Sequence, residues 1–385
     1  ILIAPDSFKN ALSALEVARS LEAGLIKVFP DAEFEILPMA DGGEGTVEAL
    51  IDATGGQIFK TPVHDPLMRP IESSFGVTGD GVTAVIEMAS ASGIQLVTSE
   101  EREPWITTTI GTGELIHAAL DKGCRDIILG IGGSATNDCG MGMATALGVK
   151  FLDADGKPVG QGGGALEDVS RIDMSGLDER IKDTKIMVAC DVTNPLTGPE
   201  GASHVYGPQK GADPEMVKTL DGNLGQFSRL ITEQLGKEVG EIPGAGAAGG
   251  LGAGLIAFLD GELAKGVTIV AARTGLDASA ARADIVITGE GGIDFQTQFG
   301  KTPYGVAQVA KKHGKPVIAV AGTVGAGVEE LYNKGIDAVI SILERPSSLE
   351  EAIQETGTHA SLVDLKGEYY YLLKKEKINP LDLPA

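Results

Sequence analysis

The chain has 385 residues, of which 43% are apolar and 22% are charged, and its formal net charge at pH 7 is −23. This composition is that of a globular protein, and the length suits two domains better than one. The negative charge argues against nucleic acid or an anionic membrane as a partner. The low aromatic share of 4% also argues against a surface that stacks nucleic-acid bases.

The cysteines and the apolar runs indicate the compartment. Cys124, Cys139 and Cys190 form an odd set at no metal-ligand spacing, so we expect free thiols rather than a disulfide framework. No uninterrupted apolar run approaches the roughly 18 residues of a membrane span, and no secretory signal is recognisable. We therefore expect a cytoplasmic protein, and the sequence leaves its oligomeric state open.

Strands and helices alternate at both ends of the chain. The amino-terminal pattern predicts strand Ile1–Asp6, helix Ser13–Phe29 with a capping box of Ser13 and Glu16, strand Glu33–Met39 and helix Gly45–Thr54. The carboxyl-terminal pattern predicts strand Asp284–Thr288, helix Pro303–His313, strand Pro316–Ala321, helix Gly327–Lys334 and strand Ala338–Leu343. Such alternation is typical of a parallel sheet with helices on both faces.

The middle of the chain has a different character. Its pattern predicts a hairpin of Ile71–Val77 and Val82–Met88, strands Asp126–Gly130 and Lys185–Cys190, and a long helix Pro214–Leu235. We therefore expect an α/β fold of two α/β domains: a doubly wound parallel sheet built from residues 1–65 and 285–385, and an inserted mixed domain over residues 66–284. Ligands of such sheets bind beyond the carboxyl ends of strands and often between domains, so we expect the active site in the cleft between the two.

Glycine-rich polar segments follow several predicted strands, in a chain whose 54 glycines are about twice the ordinary share. After the first strand, Ser7 could donate to an anion and Lys9 supplies a positive charge, although a capped turn with a solvated lysine is the alternative. After the second strand, Asp41 and Glu44 could hold Mg²⁺ or accept substrate hydroxyls; the alternative is that they cap the next helix.

Two further segments lie in the middle of the chain. Gly132 and Gly133 precede Ser134 and Asn137, and consecutive glycines let backbone N–H groups converge on an anion. A tight turn is the alternative. Asp191 and Asn194 follow another predicted strand, where a carboxylate beside an amide suits metal binding or a general base.

The segment Thr288–Pro303 ends like a phosphate-binding P-loop. Gly300, Lys301 and Thr302 match the end of that motif, but Phe295 occupies the position of its leading glycine, so the motif fails. We expect Thr302 to cap a helix, with Lys301 beside the positive helix end. The same loop carries three more polar candidates: Glu290, Asp294 and Gln296.

Gly244, Gly246 and Gly249 match the dinucleotide fingerprint, but no strand is predicted before them, so the fingerprint fails its structural context. Close helix packing along Gly250, Gly252 and Gly254, or a helix start near nucleotide phosphates, is the expected use of these glycines.

Taken in order, these segments resemble the type I glycerate kinase family. The resemblance runs from Ile1 to about Ser348 and rests on the motifs APDSFK, MADGGEGT, GIGGSATND, CDVTNPL, GAGAAGGLG, TGEG and GKTP. It implies ATP- and Mg²⁺-dependent phosphorylation of D-glycerate, and an architecture with one flavodoxin-like domain. The family usually has a basic residue where this chain has Gly292. The tail from about Thr356, with its run Tyr369-Tyr370-Tyr371, does not match the family pattern.

The resemblance also implies roles for the candidate residues. We expect catalytic roles for Asp191, Asp41, Lys301 and Lys9, with Asp191 as first choice of base and Asp41 as second. We expect substrate or phosphate binding by Ser7, Gly132, Gly133, Ser134, Asn137, Asn194 and Gln296. We expect Mg²⁺ ligands among Asp41, Glu44, Glu290 and Asp294, and which carboxylate is base and which holds metal stays open.

Two other functions compete with the kinase. A two-domain small-acid binding protein would explain a cleft but not the carboxylates and lysines at strand ends. A nicotinamide-dependent oxidoreductase would rest on Gly244–Gly249 alone. For a kinase, the product is either 2- or 3-phosphoglycerate, and similarity to bacterial sugar-acid enzymes favours 2-phosphoglycerate.

Overall fold

The structure is a computed structural model that describes residues 1–343 and 349–360. Its strands, in chain order, are β1 (Leu2–Ile3), β2 (Glu35–Ile36), β3 (Gln57–His64), β4 (Pro70–Val77), β5 (Thr83–Glu87), β6 (Asp126–Gly130), β7 (Lys150–Leu152), β8 (Arg171–Asp173), β9 (Lys185–Ala189), β10 (Glu262–Ala264), β11 (Val286–Ile293), β12 (Val317–Val324) and β13 (Ala338–Ser341).

The α-helices are α1 (Ala14–Leu25), α2 (Thr46–Thr54), α3 (Ala89–Ser92), α4 (Ile110–Asp121), α5 (Met141–Ala146), α6 (Ala202–Tyr206), α7 (Pro214–Leu235), α8 (Ala247–Leu259), α9 (Gly266–Thr274), α10 (Leu276–Arg282), α11 (Thr302–Lys312) and α12 (Leu349–Ala360). No helix of the described residues is long and apolar enough to cross a membrane.

The chain divides into two compact units. Unit 1 comprises Ile1–Asp41, Glu48–Thr54 and the described residues from Val267 on, and unit 2 comprises Gly42–Val47 and Gly55–Gly266. The predicted domain boundaries at residues 65 and 285, and the predicted cleft, stay predictions. Strand β3 lies before residue 65 but pairs with β4, so it belongs to the sheet of unit 2.

Unit 1 contains a five-stranded parallel sheet in the order β2-β1-β11-β12-β13. Counted within the unit, this is the order 2-1-3-4-5 of a flavodoxin-like doubly wound sheet. The chain reverses its direction of winding between β1 and β11, where Leu2 pairs with Val286. Loops diverge at such a switch point and leave room for a ligand at the carboxyl ends of the strands.

The core of unit 1 follows from the apolar pattern of its elements. Ile3, Ile287 and Ile318 from three neighbouring strands are fully buried and pack in one cluster with Leu21 of α1. Helix α1 begins with the predicted capping box, in which Ser13 accepts from Glu16 N and Glu16 accepts from Ser13 N. Helix α12 packs against α1. The tail that does not match the family pattern is described only as far as residue 360.

Unit 2 contains a six-stranded mixed sheet in the order β10-β9-β6-β5-β4-β3. Strands β5, β6, β9 and β10 are parallel, while β3, β4 and β5 form antiparallel pairs, including the predicted hairpin. Strands β7 and β8 form a separate two-stranded antiparallel sheet. The expected combination of two α/β domains, one flavodoxin-like and one mixed, is therefore confirmed.

Several element predictions need correction. The strand predicted at Asp284–Thr288 continues to Ile293, because β11 pairs with β12 as far as Ile293 and Val324. The paired part of the strand predicted at Glu33–Met39 is only Glu35–Ile36. The helix predicted at Gly327–Lys334 is a 3-10 helix over Val328–Lys334. The three cysteines are free, as expected.

Candidate active-site groups in each unit

Asp6 lies at the switch point of unit 1, three residues beyond the end of β1. Its backbone N–H donates to Gly289 O at 2.8 Å, which ties it to β11. The side chain is 7% exposed and accepts hydrogen bonds from Ser7 N at 2.6 Å and from the hydroxyl of Thr302. Burial, and then the charge of Asp41, raise the pKa of Asp6 to about 7, against the lowering effect of the Thr302 hydrogen bond. A carboxyl that titrates near neutrality suits proton transfer.

Glu290 and Lys301 form an ion pair beside Asp6. Lys301 Nζ donates to Glu290 Oε1 at 2.6 Å, and Glu290 Oε2 is buried without a hydrogen-bond partner among the described residues. Burial raises the pKa of Glu290, while Lys301 and Lys9 act to lower it. Burial opposes the charge of Lys301, but Glu290, Asp294 and Asp41 together raise the Lys301 pKa, so this lysine stays cationic.

The expected helix cap at Thr302 is wrong. Lys301 is the N-cap of α11 and makes no side-chain capping bond, while Thr302 and Pro303 begin the first turn. The Thr302 hydroxyl instead donates to Asp6. A residue 296 positions away in the chain thus contacts the buried carboxylate, and Lys301 immediately precedes that residue at the start of α11.

Three carboxylates of unit 1 influence one another electrostatically. The charge of Asp41 raises the pKa values of Asp6 and Glu290, and that of Glu290 raises the pKa of Asp6. No group of three or more acidic, histidine or cysteine side chains in the described residues is arranged to hold a metal ion. Mg²⁺ usually binds one or two carboxylates plus substrate phosphates rather than an all-protein cage, and the unpartnered Oε2 of Glu290 fits such a partial site.

Asp294 and Gln296 have a local structural role. Asp294 is the N-cap of the 3-10 helix Phe295–Phe299 and accepts from Gln296 N at 2.8 Å in a capping box with Thr297. The Gln296 side chain is exposed, as is that of Lys9. Gly292 lies in β11, where an added Cβ would come within 3.2 Å of Thr323 Oγ1.

The glycine loop of unit 2, defined here as Gly132, Gly133 and Ser134, follows β6. Gly132 and Gly133 are exposed, and Gly133 has φ +74°, a conformation that glycine adopts without strain. Gly133 O accepts from Ile94 N at 2.8 Å. Among the described residues no hydrogen bond is donated by the backbone N–H groups of the three, so they are available to an anion. The next helix, α5, is short and begins only at Met141, so the loop does not run directly into a helix start.

A buried polar layer lies behind the glycine loop. Ser134 Oγ accepts from Lys210 Nζ at 2.7 Å, and Lys210 also donates to Thr136 O at 2.7 Å. Asn137 Nδ2 donates to Ser203 Oγ at 3.0 Å, and Asn137 is fully buried. Asp138 is fully buried as well and accepts from Thr109 N at 2.8 Å. Asn137 therefore supports the loop from within unit 2.

The Asp191 loop follows β9. Asp191 is exposed, and its Oδ1 accepts from Gly266 N at 3.2 Å. Asn194 is used by the loop itself, because its Nδ2 donates to Glu200 O at 2.8 Å and its Oδ1 accepts from Tyr206 Oη at 2.7 Å. Asn194 thus fixes the segment that presents Asp191.

Glu44 precedes α2 and is exposed. In the first turn of that helix, Val47 N donates to Glu87 Oε1 at 3.0 Å rather than to Glu44.

The glycines at the start of α8 serve packing. Gly249 and Gly250 have positive φ values of 66° and 87° inside a kink, and an added Cβ at Gly252 or Gly254 would come within 2.4 Å of a backbone oxygen. This confirms the expected close approach. Within the described residues no strand directly precedes these glycines, so the arrangement differs from a dinucleotide-binding turn.

Reasoning from the sequence missed two groups. The sequence shows Asp6 only at the end of a predicted strand, because its hydrogen bond from Thr302 joins distant parts of the chain. The signal for Lys210 in the sequence is its place in Gly-Pro-Gln-Lys-Gly (207–211), since glycine and proline favour a tight turn. Only the fold places Lys210 beneath Ser134.

The chain is similar to known proteins over most of its length. Residues 1–364 match the model of the glycerate kinase family. A glycerate kinase from Halalkalibacterium halodurans is 54% identical over 355 residues, covering 92% of this chain and 93% of that protein. A protein from Escherichia coli named glycerate 2-kinase is 52% identical, covering 92% and 93%.

A solved structure from Salmonella typhimurium LT2, described as glycerate kinase 2, superposes with a TM-score of 0.89 at 48% identity, covering 98% of each chain. Sequence and structure agree over nearly the whole length. The chain belongs to the glycerate kinase family.

Proposed function

We propose that this protein transfers the γ-phosphoryl group of ATP to a hydroxyl of D-glycerate, giving phosphoglycerate and ADP. The observation that carries the proposal is the 54% identity over 92% of the chain to a protein named glycerate kinase. The Lys301–Glu290 pair and the open glycine loop supply the kinds of group that phosphoryl transfer needs, namely positive charge and backbone donors for anionic oxygens.

The product we favour is 2-phosphoglycerate, with 3-phosphoglycerate as the alternative. The support is a relative at 52% identity that is named glycerate 2-kinase. The two products differ only in which hydroxyl oxygen forms the new bond to phosphorus, so carbon NMR of the product distinguishes them.

The phosphoryl transfer requires that the two substrates be positioned, that the phosphate charge be neutralised and that one proton be removed from the acceptor hydroxyl. The acceptor hydroxyl oxygen attacks the γ-phosphorus, the bond to the β,γ-bridging oxygen breaks, and the hydroxyl proton passes to a carboxylate. We propose that the N–H groups of Gly132, Gly133 and Ser134 bind an anionic group, and that Lys301 and Lys9 neutralise phosphate charge. Ser7 is a further candidate donor for that anionic group, and in this structure its hydroxyl donates to Asp6 Oδ1 at 3.3 Å.

Three carboxylates are candidates for the base. Asp191 remains the first choice, since it is exposed at the end of a buried strand, and Asp41 the second. Asp6 joins them because its pKa near 7 matches what a general base requires at neutral pH. Its low exposure of 7% makes it the less accessible of the three.

Mg²⁺ is the cofactor we propose, with Glu290 and Asp41 as ligands. When bound, Mg²⁺ would neutralise charge on the phosphates. Glu290 supports this role through its buried Oε2, which has no hydrogen-bond partner in the described part of the chain. Asp294 is occupied in capping, and Glu44 is exposed, so both are weaker candidates.

A coupled assay of ADP release tests the proposal. We expect ADP to form in proportion to D-glycerate, with turnover abolished by EDTA and restored by excess Mg²⁺. L-Glycerate serves as the control substrate. ADP release that is independent of glycerate, or glycerate binding without turnover, would contradict a glycerate kinase and favour an acid-binding protein.

A further inference from the structure

Lys210 is a buried lysine outside the groups to which the reaction has so far been assigned. It is 2% exposed and ends a 3-10 helix, Pro208–Lys210, that is followed by Gly211 at φ +99°. A Cβ on Gly211 would come within 2.2 Å of Arg102 O, so the backbone at this turn is tightly packed. A lysine is rarely buried unless its ammonium group has partners.

The partners of Lys210 belong to the segment that carries the glycine loop. Its Nζ donates to Ser134 Oγ and to Thr136 O, both at 2.7 Å. Because Ser134 Oγ accepts this bond, the hydroxyl proton of Ser134 must be directed to another acceptor. Among the described residues the Ser134 hydroxyl has no acceptor for its proton, while Gly132 and Gly133 beside it are exposed.

The surrounding charges are few. Asp138 is the charged group that acts on Lys210, and it favours the ammonium form. Asp138 is itself satisfied by Thr109 N and Thr109 Oγ1, at 2.8 and 2.9 Å. Arg102 contacts the same turn, where its guanidinium donates to Gln209 O at 3.3 Å. Burial lowers the pKa of Lys210 to about 7.

We propose that Lys210 is a positioning residue of the glycine loop, which holds Ser134 Oγ as an acceptor so that the Ser134 hydroxyl donates outward to a substrate oxyanion. The ammonium group stands one hydroxyl behind the loop and adds positive charge to it. This rests on the proposed function, since the oxyanion is either an ATP phosphate or the glycerate carboxylate. Because Lys210 acts through the Ser134 hydroxyl, it makes no direct contact with the substrate.

The test compares Lys210→Met, Ser134→Ala and the double variant, with Lys218→Met as control for the loss of an exposed lysine. KM is measured separately for ATP and for D-glycerate, which identifies the source of the oxyanion. We expect Ser134→Ala and Lys210→Met to raise the same KM by about tenfold or more, since a hydrogen bond to a charged group is lost. The double variant should be no worse than Ser134→Ala alone, because Lys210 acts through Ser134.

Binding of ATP and of D-glycerate by calorimetry gives a readout that does not depend on turnover. If ADP release fails in the wild type while Ser134→Ala still weakens binding of one ligand, the proposed function fails and the role of the loop stands. If Lys210→Met does not fold, Ser134→Ala alone decides. A folded Lys210→Met that binds both ligands as the wild type does, or an unaffected Ser134→Ala, would overturn the proposal.

Discussion

Lys301 Nζ lies 2.6 Å from Glu290 Oε1, so the lysine at the start of α11 and a carboxylate inside β11 form an ion pair. The pair lies at the switch point of the flavodoxin-like sheet, where Asp6 and Thr302 are hydrogen-bonded. Because Glu290 Oε2 has no partner among the described residues, the pair retains capacity for another ligand.

Lys301→Met tests the lysine as a phosphate ligand. We expect kcat/KM to fall at least about 100-fold, equivalent to roughly 2.7 kcal/mol of transition-state stabilisation. The matched control is Lys312→Met, which removes an exposed lysine from the other end of the same helix and should change kcat/KM by less than about twofold. Steady-state kinetics with circular dichroism decide the matter, and equal kinetics for the two variants would exclude the role.

Asp6→Asn tests the buried carboxyl through the pH dependence of stability. The pKa of Asp6 is raised from 3.8 to about 7, so between these pH values the native state holds a proton that the unfolded state has lost. This group therefore lowers the free energy of unfolding as pH rises from about 4 to about 7. The side chain in Asp6→Asn cannot ionise, so the free energy of unfolding of this variant should not show that decrease.

The measurement is denaturant unfolding of both proteins at several pH values, in EDTA. We expect the difference in stability, variant minus wild type, to increase with pH up to about 7 and then to level. A difference that is constant across this range would show that Asp6 titrates normally.

Gly133→Val tests the glycine loop. Gly133 has φ +74°, and an added Cβ would lie 3.3 Å from Ala89 Cβ, so a branched side chain would strain the loop and obstruct its N–H groups. We expect KM for ATP or glycerate to rise strongly in a folded protein. The control is Gly81→Val, because Gly81 has the same φ of +74° but open space around its Cβ position. It should share the backbone strain, about 1–2 kcal/mol, and leave KM unchanged. A similar KM in both variants would show that the glycine loop is a turn without a role in ligand binding.

Asp191→Asn tests the first choice of base. The amide keeps an oxygen to accept from Gly266 N, so we expect the fold to survive while kcat falls about 100- to 10,000-fold. Excess Mg²⁺ should restore part of kcat if Asp191 is a metal ligand, and nothing if it is the base. Asp221→Asn is the control, since Asp221 also accepts a backbone N–H, from Gly198 at 3.0 Å. A folded Asp191→Asn with more than about a tenth of the wild-type kcat would shift the role to Asp41 or Asp6.

Sequence alone determined the features that depend on near neighbours. The capping box of α1 needs only Ser13 and Glu16, three residues apart, and the alternating apolar runs predict strands and helices because each has its own period. The ordered glycine motifs, read the same way, led to the family. These signals are local, so the residues that make them are visible in any short window of the chain.

Tertiary structure decided what depends on distant pairing. The length of β11 follows from its pairing with β12, and the hydrogen bond from Thr302 to Asp6 joins residues 296 positions apart. Lys210 reaches Ser134 across 76 positions and is buried there, whereas sequence composition alone treats a lysine as a surface residue. Burial raises the pKa of Asp6 and lowers that of Lys210, and this desolvation acts only once the chain has folded.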